Sequence, residues 1–103
     1  MKKPEAGMAI QMLPKTKENT DAKTVEIVDH VIAHLKASGL NVFVGPFETT
    51  VDGPFDQLMQ LQKECFEICI EKGAYSVAGY IKIYFTPGEG VLSIAEKVDK
   101  HHQ

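Results

Sequence analysis

Nothing in this chain supplies the basic stripe that a phosphate backbone requires. Across 103 residues, 11 Lys and Arg are outnumbered by 14 Asp and Glu, for a net charge of −3. Nucleic acid is therefore disfavoured as the main partner. No stretch approaches the roughly 18 apolar residues of a membrane span. The charged opening Met1–Gly7 is not followed by the long apolar segment of a secretory signal, so neither insertion nor export is expected. Cysteine is scarce too. Cys65 and Cys69 stand four apart in what reads as one helix, where a bond between them would tie nothing distant together. That usage fits a reducing compartment, and the cytoplasm is the expected location.

Catalytic signatures are equally thin. Pro87-Gly88-Glu89-Gly90 lacks the Lys and Ser/Thr of a phosphate loop, and no Ser/His/Asp or Cys/His set has the context of a known nucleophilic motif. His30 and His34 have the i, i+4 spacing of metal ligands but no third ligand in view, so they read as a solvated helix face beside Lys23 and Glu26. Cys65 and Cys69 read as small core hydrophobes. His101 and His102 belong to a tail expected to fray. No metal is expected.

The chain does carry regular periodicity. It fits one domain, with a core over about residues 8–98 and no internal repeat. Met8–Leu13 alternates loosely and closes on Pro14, predicting a first strand. A helix should follow from Thr20 or Asp21, either of which can cap its first turn. Its apolar stripe is Val25, Val28, Val31, Ile32 and Leu35, flanked by Ile27, with Gly39 as its stop. Leu40–Val44 and Phe47–Asp52 read as a hairpin around Gly45-Pro46. Gly53-Pro54 opens a second helix, with Asp56 favoured near its N-terminus and Phe55, Leu58, Met59, Phe66, Cys69 and Ile70 as its buried stripe. Tyr75–Phe85 is the longest strand, and Val91–Lys100 suits a short terminal helix.

The order βαββαβ predicts an α+β, ferredoxin-like fold: a four-stranded antiparallel sheet with two helices on one face. The other face would carry Ala78, Tyr80, Lys82 and Tyr84. They are joined by one alternating set from the first strand, either Ala9, Gln11 and Leu13 or Met8, Ile10 and Met12. A mixed aromatic surface of this kind marks a partner or ligand site, and a homo-oligomer formed through it is expected.

The run from Gly45 to Asp56, Gly-Pro-Phe-Glu-Thr-Thr-Val-Asp-Gly-Pro-Phe-Asp, resembles the signature of the thiamine-binding protein family of small ferredoxin-like domains. Ile81-Lys82-Ile83 resembles that family's last-strand Ile-Lys-Ile, and Pro14 closes the first strand as in the family. The likeness covers about Met8 to Val98. It implies a non-enzymatic binder of thiamine or its hydroxymethylpyrimidine half in salvage, transport or sensing, without a catalytic cofactor, assembled as a dimer or tetramer through sheet faces. Two departures stand out: Glu48 where many members carry Gly, and Tyr84-Phe85-Thr86-Pro87 after the Ile-Lys-Ile.

Thiamine offers hydrogen-bonding groups on an aminopyrimidine, a thiazolium cation and a hydroxyethyl tail. On the resemblance, the ligand set is Gln11, Phe47, Glu48, Thr49, Thr50, Tyr80 and Lys82. Thr49 leads it, because its hydroxyl both donates and accepts; the plain alternative is a packed strand threonine. Glu48 would face the thiazolium or sit exposed in the hairpin. Gln11 offers an amide or faces solvent. Tyr80 and Tyr84 stack on a ring or form the oligomer contact, with the contact favoured for Tyr84. Lys82 would pair with Glu48 or Asp52 across the sheet or the interface. The scarcity of basic residues near this set argues against a bound diphosphate. Two other classes stay open: an isomerase- or monooxygenase-like enzyme on the same scaffold, which needs a titratable group in the pocket, and a regulatory module with no cavity.

Overall fold

A computed structural model describes residues 3–99; the tail histidines His101 and His102 and Lys100 lie outside the described residues. The elements are β1 (Ala6–Lys15), α1 (Asp21–Lys36), β2 (Asn41–Val44), β3 (Thr49–Gly53), α2 (Phe55–Glu71), β4 (Ser76–Phe85) and α3 (Ile94–Asp99). The strands form one sheet in the order β2-β3-β1-β4, antiparallel at every junction. This is the ferredoxin-like α+β arrangement.

β1 runs through the middle and sorts the rest. Its even-numbered residues, Ala6, Met8, Ile10, Met12 and Pro14, are all buried. Period-two alternation puts their cross-strand partners Val51, Ile83, Ile81, Gly79 and Val77 on that same face, under α1 and α2. Met8, Ile10 and Met12 are thus the helix-facing set, and Ala9, Gln11 and Leu13 lie on the other face with Lys82, Tyr80 and Ala78.

Pro14 does not end β1, which continues to Lys15. The Thr86 N–H donates to the Glu5 carbonyl, and with the register this fixes which backbone groups face which neighbour. Odd-numbered β1 residues bond to β4, and even-numbered ones point toward β3. β3 pairs only as far as Ile10, so the N–H that Pro14 lacks would have faced no strand.

Thr20 caps α1 as expected, its hydroxyl accepting from Lys23 N–H at 3.2 Å. Gly39, two residues past the Ala37 C-cap, takes φ +81°, a left-handed turn that lets the chain reverse into β2. The buried line of α1 is Ile27, Val31 and Leu35. Val25, assigned to the stripe from its spacing, is 56% exposed, and the flanking Ile27 is the true centre. Apolar residues wrap more than half of this helix, and only packing against β1 decides which ones are covered.

α2 shows the same rotation: Leu58, Leu61, Cys65 and Cys69 are buried, whereas Met59 and Ile70 are exposed. Pro54 is its N-cap, and the Glu5 carboxylate accepts from the Phe55 N–H at 2.8 Å, tying the start of β1 to the start of α2. Both thiols are free and buried, and burial pushes Cys65 up to about 12, which makes it a packing group and not a nucleophile.

His34 is half-exposed, as a helix surface position should be, but it has a partner that its position did not announce. Its Nε2 meets Glu64 Oε1 at 2.8 Å across the α1–α2 junction, and chiefly this hydrogen bond holds the Glu64 carboxyl below its usual range. His30 is exposed as expected.

The two expected helices do not complete the covering of the sheet. α3 starts at a capping box, in which Ser93 Oγ accepts from Glu96 N–H while Glu96 Oε1 accepts from Ser93 N–H. It packs on β2 and β3, and Val91 and Lys97 approach Gly7 on the face opposite α1 and α2. One end of the open face is therefore covered by the chain's own C-terminal segment.

If Ile27 and not Val25 anchors α1, Ile27→Ala should lower the unfolding free energy by about 2–5 kcal/mol. Val25→Ala should shift it by no more than about 0.5 kcal/mol. Urea titration followed by circular dichroism checks both.

Candidate functional site

The residues singled out from the sequence separate onto two surfaces. β3 alternates about Thr49. Thr49 pairs with Ile10 and Val44 and faces the helices, whereas Thr50 pairs with Ala9 and Phe43 and faces the other way. Gln11, Thr50, Tyr80 and Lys82 therefore share the open face, and Thr49 lies behind them. Phe47 stands with Pro46 at the tip of the β2–β3 turn, which the Gly45 N–H closes by donating to the Glu48 carbonyl at 2.9 Å. Phe47 is 80% exposed.

On the open face, Lys82 donates to Glu48 Oε1 at 2.9 Å, reaching from β4 across β1. This is one of the two pairings expected for Lys82. It leaves Glu48 with a cation already bound, which weakens the case for this carboxylate as the counter-charge of a thiazolium. Tyr80 and Tyr84 remain 62% and 71% exposed, and the same face carries Leu13 and Ala78 nearby and Phe43 at the opposite edge on β2.

Asp52 sits at the covered end of the same face. It is 3% exposed, its Oδ2 accepts from the Ile94 N–H at 2.8 Å, and its Oδ1 has no partner among the described residues. Its evident task is to hold the start of α3.

On the helix side, β1 outruns β3. Beyond Ile10 no strand flanks β1 toward β2, and the gap is bounded by α1 and by the β2–β3 turn. The result is a cleft of 270 Å³. Its walls are apolar: Ile10, Val28, Val31, Ile32 and Leu35, with Phe47 and Pro46 at the mouth. Thr24 from α1 and Thr49 from β3 bring hydroxyls to it, and Gln11 and Glu48 reach its rim. Thr49 is 6% exposed.

The backbone adds a further pair. Met12 is even-numbered, so its N–H and C=O point away from β4 into this gap, where β3 supplies no opposing residue. Neither Thr24 nor the Met12 backbone belongs to the ligand set expected from the sequence. The only available signal was the shortness of β3 relative to β1, which emerges once both strands are paired.

Three wider hollows lie among the described residues, the smallest of 440 Å³ at Pro4, Glu5, Gly53, Pro54, Gly88 and Gly90. One of 620 Å³ at Lys15, Thr16, Lys17, Asn19 and Tyr75 is walled by polar loop residues. Another of 570 Å³ separates α3 from the start of β2. None of the three has the convergence of apolar walls and a few polar groups that marks a small-molecule site. Among the described residues, no group of three or more His, Cys, Asp or Glu is gathered where it could hold a metal ion. None of the described helices is long and apolar enough to cross a membrane.

Fold and cleft together define a small ferredoxin-like domain with an apolar cleft between α1 and the end of β3. Residues 8–102 match the thiamine-binding protein family, and the chain belongs to it. A UPF0045 protein of Clostridium perfringens is 37% identical over 95 residues, spanning 92% of this chain and 95% of that one. Among solved structures, a domain of unknown function from Bacillus cereus is 34% identical with a TM-score of 0.82, covering 93% of this chain and 88% of its own. A Thermotoga maritima protein, provisionally named for thiamine biosynthesis or salvage, is 28% identical with a TM-score of 0.81, covering 95% and 99%.

The two carboxylates on the open face should respond differently to removal of their contacts. Lys82→Met should change stability by less than about 1 kcal/mol, as for exposed ion pairs. Asp52→Ala should cost about 0.5–2 kcal/mol, as for a lost helix cap. Only Asp52→Ala should accelerate hydrogen exchange at the Ile94 amide, which NMR reads directly.

Proposed function

We propose that the cleft between α1 and the end of β3 binds thiamine through its hydroxymethylpyrimidine half, and that the protein is a non-enzymatic carrier or sensor in thiamine salvage or transport. The observation that carries this reading is the backbone pair at Met12. An aminopyrimidine edge presents an amino donor next to a ring-nitrogen acceptor, the complement of the C=O and N–H of one strand residue. The pyrimidine would extend β1's hydrogen bonding where β3 ends. The Thr49 hydroxyl adds a group that donates or accepts, and Val28, Val31 and Ile32 of α1 would pack on one face of the ring.

At 270 Å³ the cleft falls just below the roughly 300–1,000 Å³ of sites for drug-sized ligands. One substituted ring suits it, with the thiazolium outside against the Phe47 ring. Gln11 and Glu48 then serve the rim, and Thr50, Tyr80 and Lys82 serve assembly on the open face, where a homo-oligomer would cover the two tyrosines. Two unpaired buried thiols suit a cytoplasmic setting.

The reading as a binder and not an enzyme is supported by the lining. Of the residues around the cleft, Glu48 alone carries an ionisable group, and it is bound to Lys82. General acid–base chemistry has no other candidate there.

Calorimetry and thermal shift with thiamine, hydroxymethylpyrimidine and their phosphates test the proposal. A ligand at a hundredfold excess over its Kd should stabilise the fold by about 2.7 kcal/mol. Thr49→Val should weaken binding roughly three- to tenfold, the worth of one neutral hydrogen bond. No stabilisation by any of these compounds would refute it.

A further inference from the structure

We infer that Lys82 is a positioning residue for the cleft. From the opposite face of the sheet it tethers the β2–β3 turn, through Glu48, as one wall of the ligand site. Affinity is then set in part by a side chain that touches no ligand atom. The inference rests on the binding proposal and adds a control to that site.

The turn as a whole forms that wall: Gly45, Pro46, Phe47 and Glu48 all line the cleft. Little within the turn fixes where it stands. Pro46 and Phe47 are exposed, so apolar packing holds them weakly. The Gly45 N–H donates to the Glu48 carbonyl, and a Cβ at Gly45 would lie 2.8 Å from that oxygen, so only glycine closes the turn this tightly. That bond joins the turn to itself. On one side the turn continues into β2, four residues long and paired with β3 alone. Among the described residues, the one hydrogen bond or ion pair from residues 45–48 to another element is Lys82 Nζ to Glu48 Oε1, at 2.9 Å.

Alternation turns this bond into a control on the cleft. Glu48 has the parity of Thr50, so its carboxylate emerges on the open face. Its two chain neighbours, Phe47 and Thr49, belong to the cleft. Holding Glu48 on one face therefore places those neighbours on the other.

The register explains why Lys82 performs this task. It stands opposite Ala9 on β1, and the ladder between β1 and β3 ends at Ile10 and Thr49, one residue short of Glu48. From β4 to β3 is two strand spacings, roughly 9–10 Å, which only two long side chains together can cross. Ala9, with nothing beyond Cβ, leaves the lysine a path over β1.

The pair is open to solvent, with the Lys82 side chain 75% and that of Glu48 37% accessible, so dissolved salt screens it. Hydroxymethylpyrimidine in mildly alkaline buffer is uncharged and brings no Coulomb attraction of its own. Its affinity should still fall with ionic strength, because the tether is what salt weakens.

Calorimetric titration with hydroxymethylpyrimidine, and NMR exchange of the Gly45 amide without ligand, test the inference on the full chain. Lys82→Met should weaken binding about two- to fivefold, within the worth of an exposed ion pair, and speed Gly45 exchange by a similar factor. Exchange at Val51, inside the ladder, should not change. Lys82→Arg should behave as the wild type. Raising NaCl to about 1 M, where the Debye length is about 3 Å, should weaken wild-type binding toward that of Lys82→Met. In a Glu48→Ala background, Lys82→Met should have no further effect, since the lysine acts through that carboxylate. Unchanged Gly45 exchange in Lys82→Met, or equal affinity and equal salt response in wild type and Lys82→Met, would overturn the inference and leave the binding proposal standing. A wild type that binds no pyrimidine would refute the binding proposal and, with it, the link between Lys82 and affinity.

Discussion

The alternation of β1 is the constraint on which the remaining structure rests. One side of this strand, from Ala6 to Pro14, is buried against two helices, and each of the larger side chains Met8, Ile10 and Met12 stabilises the fold by about 1.5–3 kcal/mol. A shift of register by one residue would turn that side to water and bring Gln11 inside. The register holds because β4 pairs with β1 over its full length and β3 over half of it. That difference in length is also the origin of the cleft: where β3 gives out, β1 keeps a free N–H and C=O at Met12 beneath the apolar face of α1.

The two sides of the sheet consequently have different work. The helix side holds the core and, at its open end, the slot near Thr49. The opposite side carries Tyr80, Tyr84 and the Lys82–Glu48 pair, with its far end occupied by α3 through Asp52. On the proposed reading, ligand binding and assembly would not compete for the same atoms. They meet only at the rim, where Gln11 and Glu48 border both.

Much of this was legible in the sequence, for identifiable reasons. Element order followed from periodicity punctuated by Gly and Pro, Thr20 announced its helix, and the alternation of Tyr75–Phe85 separated the two faces of β4 correctly. The Gly45–Asp56 run pointed to the family that the whole-chain match identifies. What failed to show was the rotation of each helix about its own axis. In α1, Val25, Ile27, Val28, Val31 and Ile32 are alike in hydropathy, and contact with β1 chose Ile27 over Val25. His34 gave no sign of its partner because Glu64 lies thirty residues away. The site divided for the same kind of reason. Thr49 and Thr50 are neighbours in the chain and face opposite sides of a sheet, so a list built from one motif joined residues that the fold sets apart. Pro14 read as a terminator because its unpaired flank depends on where β3 ends, and a single strand's sequence carries no such information.

The central claim is that the end of β3, and not the tyrosine face, receives the ligand. Titrating the 15N-labelled protein with hydroxymethylpyrimidine and mapping the perturbed amides tests it most directly. The account predicts the largest shifts at Met12, Thr24, Phe47 and Thr49. Shifts confined to Tyr80, Lys82 and Tyr84, with Met12 and Thr49 unmoved, would contradict it.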